Sequence, residues 1–235
     1  MAGAKDRYVQ LKVEDGSTMA AYVSRPSSAG KHPSVMVFQE AFGVNAHIRD
    51  VTDRFAAIGY TAVAPELYHR TGPGYEGSYT DFEANRPHFS AITAETLEKD
   101  IRATFGFLRS EAGADRIVSI GFCMGGRVSF LANATVPVRA AASLYGGGIA
   151  PALLGKIPSL HGPMLFCWGV QDKHITPEQR TAITEGMNQA GKSYVNAEFS
   201  TAGHGFFCDA RAAYDKNAAR EAWSLIRTFF EANLE

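Results

Sequence analysis

The sequence predicts an α/β fold: a mostly parallel central sheet with helices on both faces, entered through an antiparallel N-terminal edge. Three observations carry that prediction. Tyr8 to Ser24 alternates apolar and polar residues around a turn signal, as an antiparallel hairpin does. From Val35 onward, short continuous apolar runs take turns with stretches of helical spacing, which suits parallel strands covered on both faces and their crossover helices. One of those runs, Ile117 to Phe122, leads into Gly121-Phe122-Cys123-Met124-Gly125, the small-residue pattern of a tight strand-to-helix turn.

The elements follow in order. Tyr8 to Val13 and Met19 to Ser24 are strands joined by the turn Glu14-Asp15-Gly16-Ser17, and Pro26 to Pro33 is loop. Val35 to Phe38 is a buried strand, Ala46 to Ile58 an amphipathic helix closed by Gly59, and Thr61 to Ala64 the next strand. Tyr68 to Pro87 is the longest segment without clear periodicity and reads as a loop, either a lid or a surface excursion. Ile92 to Arg109 has helical spacing, and Ile117 to Phe122 is the strand before Cys123, with a helix from Met124 to Asn133 after it. Ala140 to Tyr145, Met164 to Trp168 and Tyr194 to Phe199 add strands, Pro177 to Ala190 a helix, and a last helix spans about Ala210 to Asn233.

Composition narrows the function. A chain of 235 residues with 46% hydrophobic content fills one large core, so residues 1–235 are expected to form a single domain. A net charge of -1 gives no extended basic surface, which argues against nucleic-acid and anionic-membrane partners and for a small molecule. Cys123, Cys167 and Cys208 are too few and too scattered for a disulfide framework or a zinc cluster, and their odd count points to free thiols in a reducing compartment. Met1 to Arg7 lacks the apolar core of a signal peptide, and no apolar run reaches membrane-spanning length. A cytoplasmic protein without a metal site is the expectation.

The turn at Cys123 holds its central residue at a helix N-terminus, where the helix dipole and a nearby imidazole favour thiolate over thiol. A Gly-rich turn of this kind also serves packing or phosphate binding, but neither a Walker Lys-Ser/Thr nor Gly-x-Gly-x-x-Gly is present. Reactive groups in open parallel sheets gather at the carboxyl ends of strands. Asp172 follows the run Met164 to Trp168, and His204 follows Tyr194 to Phe199. Taken singly, each has a plainer explanation as a cap or surface residue. In the order nucleophile, acid, histidine they match the arrangement of an α/β-hydrolase, with His204 taking the proton of Cys123 and Asp172 fixing the imidazole tautomer. Of the other histidines, at 32, 47, 69, 88, 161 and 174, only His174 is a rival, and its short separation from Asp172 favours a shared loop over a catalytic pair. Glu40 follows the strand at Val35, and the backbone amides of Ala41 and Met124 occupy the positions from which this fold draws its oxyanion donors.

With those residues assembled, the chain resembles the dienelactone hydrolase family, the carboxymethylenebutenolidases of the α/β-hydrolase superfamily. The stretches that carry the resemblance are Gln39-Glu40-Ala41-Phe42-Gly43-Val44-Asn45, Ala64-Pro65-Glu66-Leu67-Tyr68, Gly121-Phe122-Cys123-Met124-Gly125-Gly126, Tyr145-Gly146, Gly169-Val170-Gln171-Asp172 and Ala202-Gly203-His204-Gly205-Phe206. Cysteine at the elbow together with Gln39-Glu40 separates this family from ordinary esterases. The resemblance implies a cofactor-free hydrolase of small esters or lactones, with Cys123, Asp172 and His204 as triad and an acyl-thioester intermediate. It also implies that Glu40 holds the resting thiol and helps form the thiolate when substrate enters.

The chain departs from the family where substrate carboxylate is bound. The family's best-known members carry an arginine a few residues beyond the histidine, whereas here the stretch reads Gly205-Phe206-Phe207-Cys208-Asp209-Ala210-Arg211. Arg86 or Arg211 is left as a substitute, and Phe38, Tyr145, Phe206 and Phe207 as walls of a more apolar pocket. Two further readings stay open from sequence: an acyl transferase, and a non-catalytic or redox-sensing binding module built on the same fold.

Overall fold

The computed structural model describes residues 7–110 and 112–235. The N-terminal stretch read above for a targeting signal therefore lies, but for Arg7, outside the described residues. The chain resolves into two compact units, residues 1–118 and 119–235.

In the first unit the strands run in the order β1 (Tyr8–Lys12), β2 (Thr18–Ser24), β4 (Thr61–Pro65), β3 (Ser34–Phe38). β1 pairs antiparallel with β2 in the register Tyr8↔Tyr22 to Lys12↔Thr18, and β2 antiparallel with β4, so the expected N-terminal edge is present. β3 and β4 are parallel, with Val35 opposite Ala62. Every residue of β3 and β4 is buried, which is why both read as unbroken apolar runs. Helix α1 (Ala46–Ala57) starts where the Asn45 side chain accepts the Ile48 N–H at 3.2 Å, and it buries Ile48, Val51, Thr52, Phe55 and Ala56, one stripe at helical spacing. Helix α3 (Ala94–Ser110) buries Leu97, Ile101, Thr104 and Leu108 in the same manner.

A second helix interrupts the segment expected as loop. α2 (Phe82–Ser90) is capped by Asp81, whose side chain accepts the Ala84 N–H at 3.2 Å. It has no apolar stripe. Asn85 is its buried residue, donating to the carbonyls of Ser78 (3.3 Å) and Asp81 (2.8 Å) and accepting from the Tyr75 hydroxyl (3.0 Å). A polar hub replaces the periodic core contact and Pro87 sits inside the helix, so hydrophobic spacing carries no sign of it.

In the second unit the order is β5 (Ile117–Phe122), β6 (Ala141–Leu144), β7 (Met164–Gly169), β8 (Tyr194–Phe199), each strand parallel to the next. β5, β6 and β7 are buried throughout, and β8 alternates between exposed and half-buried residues. Helix α4 (Met124–Thr135) packs on β6, and α6 (Lys216–Leu234) on β7. α5 (Pro177–Gln189) begins at a reciprocal cap: the Thr176 hydroxyl accepts the Gln179 N–H at 3.3 Å, and the Gln179 side chain accepts the Thr176 N–H at 3.0 Å. The last helix starts later than the expected Ala210, because Asp215 caps it by accepting the N–H groups of Asn217 and Ala218, both at 3.0 Å. A short 3-10 turn over Leu154–Ser159 has no counterpart in the sequence reading. Among the described residues no helix is long and apolar enough to cross a membrane.

Candidate active site

The turn between β5 and α4 is built by close approach. A β-carbon on Gly121 would overlap the carbonyl oxygen of Gly125, and one on Gly126 would stand 2.6 Å from Gly146 Cα and 2.8 Å from the Leu144 oxygen. Only residues without a side chain let the helix turn this sharply off the strand. Between them Cys123 takes φ 54° and ψ -117°, a strained conformation for a residue with a β-carbon, locked by Cys123 N–H to Leu144 O (3.0 Å) and Gly126 N–H to Cys123 O (2.9 Å). Its side chain makes no capping bond to the helix it precedes. Cys123 is partly exposed, whereas Cys167 and Cys208 are buried. Full burial pushes the Cys167 thiol up to about 12, which keeps it protonated and inert.

The acid and histidine loops are fastened to each other in the same unit. Val170 N–H donates to Phe199 O at 3.0 Å and Gln171 N–H to Ala202 O at 2.9 Å. Gly169 permits this, since a β-carbon there would come within 2.5 Å of the Ala202 oxygen. The result is a 2.8 Å hydrogen bond from His204 Nδ1 to Asp172 Oδ2, with the two side chains only 12% and 1% exposed. Cys123 and Asp172 are the two side chains whose proximity favours the charged form of His204. With Nδ1 committed to the carboxylate, Nε2 is the ring nitrogen left for a further partner.

Electrostatics follow from these contacts. Burial opposes a cation on His204, but the Asp172 hydrogen bond, then the hydrogen bond and charge of Cys123, outweigh it and push the imidazole up to about 10. Burial likewise opposes the Asp172 carboxylate, and the His204 bond and charge with the His174 main-chain N–H hold it below the usual carboxylate range. Imidazole and carboxylate are thus hydrogen-bonded, and Cys123 favours the same charged form of the imidazole.

The remaining sequence-derived residues are distributed unevenly. Glu40 and Ala41 follow β3 and are buried, and Met124 is the first, buried residue of α4. Tyr145, buried and at φ 39°, sets its ring 5.2 Å from that of His204. Phe206 is fully buried between Tyr145 (5.3 Å) and Phe199 (5.1 Å), and Phe207 lies against Phe122 at 5.2 Å. Both therefore anchor the loop that carries His204. Phe38 is a buried residue of β3, and Arg86 stands exposed on α2, 3.4 Å from Glu83. His174, set aside above as a loop neighbour, has its ring 5.0 Å from that of His204. Its two-residue spacing from Asp172 signals an Asx-type turn, and nothing in sequence shows where its ring falls.

The model of the dienelactone hydrolase family matches residues 19–234. The chain belongs to the dienelactone hydrolase family. A carboxymethylenebutenolidase of Pseudomonas putida is 31% identical, with 90% of each chain covered. A Synechocystis sp. protein assigned to the carboxymethylenebutenolidases is 34% identical over 92% of this chain and 93% of its own. A Klebsiella pneumoniae crystal structure assigned as a dienelactone hydrolase superposes with a TM-score of 0.84 at 29% identity, covering 95% of this chain and 97% of that one. Membership establishes the α/β-hydrolase fold and makes the chain a hydrolase of the dienelactone hydrolase type.

Proposed function

We propose that this dienelactone hydrolase family member cleaves small ester or lactone bonds by nucleophilic catalysis at Cys123. What supports the reading is the His204–Asp172 hydrogen bond together with a partly exposed thiol, at a strained turn, that favours the charged form of His204. His204 Nε2 takes the thiol proton first, as its raised affinity for a proton favours, and Cys123 Sγ then attacks the substrate carbonyl carbon, giving a tetrahedral oxyanion beside the imidazolium. The oxyanion collapses, the carbon–oxygen bond to the leaving group breaks, and His204 passes its proton to the departing alkoxide. An acyl thioester on Cys123 remains. Water, deprotonated by His204, attacks it and releases the carboxylic acid and the thiol.

Asp172 stabilises the imidazolium in both halves, which suits a carboxylate whose charge is itself held by hydrogen bonds. By the family resemblance, the amides of Ala41 and Met124 supply the oxyanion donors, each of the kind whose loss typically costs about a hundredfold or more in rate. The role of Glu40 toward the resting thiol is likewise carried by the family resemblance; the residue itself is fully buried. Tyr145, in contact with His204, is the pocket wall we favour. Phe206 and Phe207 back it from the core, and Phe38 and Arg86 complete the candidate substrate residues. The reaction as written draws on no cofactor. The family match runs through both units, which supports reading residues 1–235 as one hydrolase domain. Three free thiols suit a cytoplasmic setting.

Turnover of p-nitrophenyl esters of short acids and of small neutral and anionic lactones tests the reading. Wild-type protein is expected to hydrolyse members of that panel and Cys123→Ala none of them. Equal rates in the two proteins would contradict it. A Glu40→Gln variant whose thiol reactivity with and without substrate equals that of wild type would remove the role given to Glu40.

A further inference from the structure

His174 lies two residues beyond Asp172 and takes no part in the chemistry proposed above. Its main-chain N–H donates to Asp172 Oδ1 at 2.7 Å, while Oδ2 receives His204 Nδ1 at 2.8 Å. Each carboxylate oxygen thus has one fixed donor. The turn so formed sets the His174 ring against that of His204, with centroids 5.0 Å apart and planes at 72°. Tyr145 supplies a second edge-on ring contact at 5.2 Å and 62°. His204 is thereby held at three points, the Asp172 bond and two aromatic contacts.

The two neighbours differ in burial: Tyr145 is fixed in the core, whereas His174 is exposed and its ring is set by the turn bonded to Asp172.

We propose that His174 is a positioning residue for His204: its ring, set by the turn on Asp172, helps hold the imidazole in place against Asp172. This rests on the reading of His204 as the proton acceptor of Cys123.

Steady-state kinetics of H174A and H174F on a p-nitrophenyl ester test the proposal. Both substitutions keep the main-chain N–H that holds Asp172, so the loop retains its hydrogen bond. H174A removes the ring, and kcat is expected to drop about fivefold with KM unchanged. H174F restores a ring, and kcat is expected within about twofold of wild type. A wild-type kcat in H174A, or an H174F no better than H174A, overturns the proposal. Cys123→Ala is assayed beside them. If it retains turnover, the triad reading and this inference fall together; if it is inactive while the His174 variants behave as wild type, only the inference falls.

Discussion

Among the described residues the protein holds two buried histidine–aspartate pairs, one in each unit, and the function proposed above uses one of them. His204 and Asp172 meet at 2.8 Å through Nδ1, and His69 and Asp100 at 3.1 Å through Nε2. Burial does not distinguish them, since the side chains of Asp172 and Asp100 are both 1% exposed. What differs is the company. Asp100 also takes a bidentate Arg70, at 2.9 and 2.8 Å, and Arg70 reaches on to Asp15 at 2.8 Å. There the negative charge is spent on a fixed cation, and the cluster ties the turn after β4 to α3. Asp172 instead takes the His174 main-chain N–H and the His204 imidazole, so in the proposed reaction its charge acts on His204. A carboxylate–imidazole pair becomes catalytic when its third neighbour is a nucleophile and structural when that neighbour is an arginine.

The largest break in this comparison is at sulfur. Cys123→Ala is expected to lower kcat/KM on any productive ester to the assay background with the melting temperature little changed, because the site of substitution is only partly buried. Next come the two acids. Asp172→Asn is expected to cost about 10³–10⁴-fold in kcat/KM, since the amide no longer enforces the imidazole tautomer. Asp100→Asn should leave kcat/KM within about threefold and instead lower stability by about 3 kcal/mol, because it leaves Arg70 and His69 short of their counter-charge. Kinetics and thermal melts of both variants decide it; a large rate loss in Asp100→Asn would erase the distinction.

A smaller effect lies in pH. The His204 imidazole is held up to about 10 by Asp172 and Cys123 against the opposing effect of burial. A group raised in the folded state contributes stability that is full below its ordinary value near 6.5 and is lost as pH climbs through about 10. The difference in melting temperature between wild type and His204→Gln should therefore shrink as pH rises across that window. Asp172→Asn should move the alkaline limb of thiol reactivity to lower pH. A difference in melting temperature that widens toward alkaline pH would contradict the assignment. The smallest expected effect is at the cap of α2, where Asp81→Ala should cost about 1 kcal/mol and leave the rate on p-nitrophenyl esters unaltered. Unfolding in urea reads it directly.

Much of this was legible in the sequence, and the failures have a common physical form. β5 falls at the bounds its apolar run gives, because burial in a parallel sheet leaves a continuous hydrophobic signature, while β8, exposed and half-buried, is bounded by the turn residues around it. Cys123, Asp172 and His204 are readable because each stands shortly after the end of a strand. α2 was not, since Asn85 holds its segment by hydrogen bonds in place of an apolar stripe. The start of α6 was misplaced by the alanines of 210–213, good helix formers that yield to the cap at Asp215. His69 and Asp100 lie 31 residues apart and His174 and His204 30 apart by position, and neither contact has any local pattern in the chain to announce it.

Rapid quenching of wild-type protein during turnover of a p-nitrophenyl ester, followed by peptide mapping of the mass added, tests the central claim most directly. The account predicts one acyl group, on the peptide that carries Cys123, and its absence in Cys123→Ala. An acyl group found on Cys167, on Cys208 or on a hydroxyl side chain in the turning-over enzyme would contradict it.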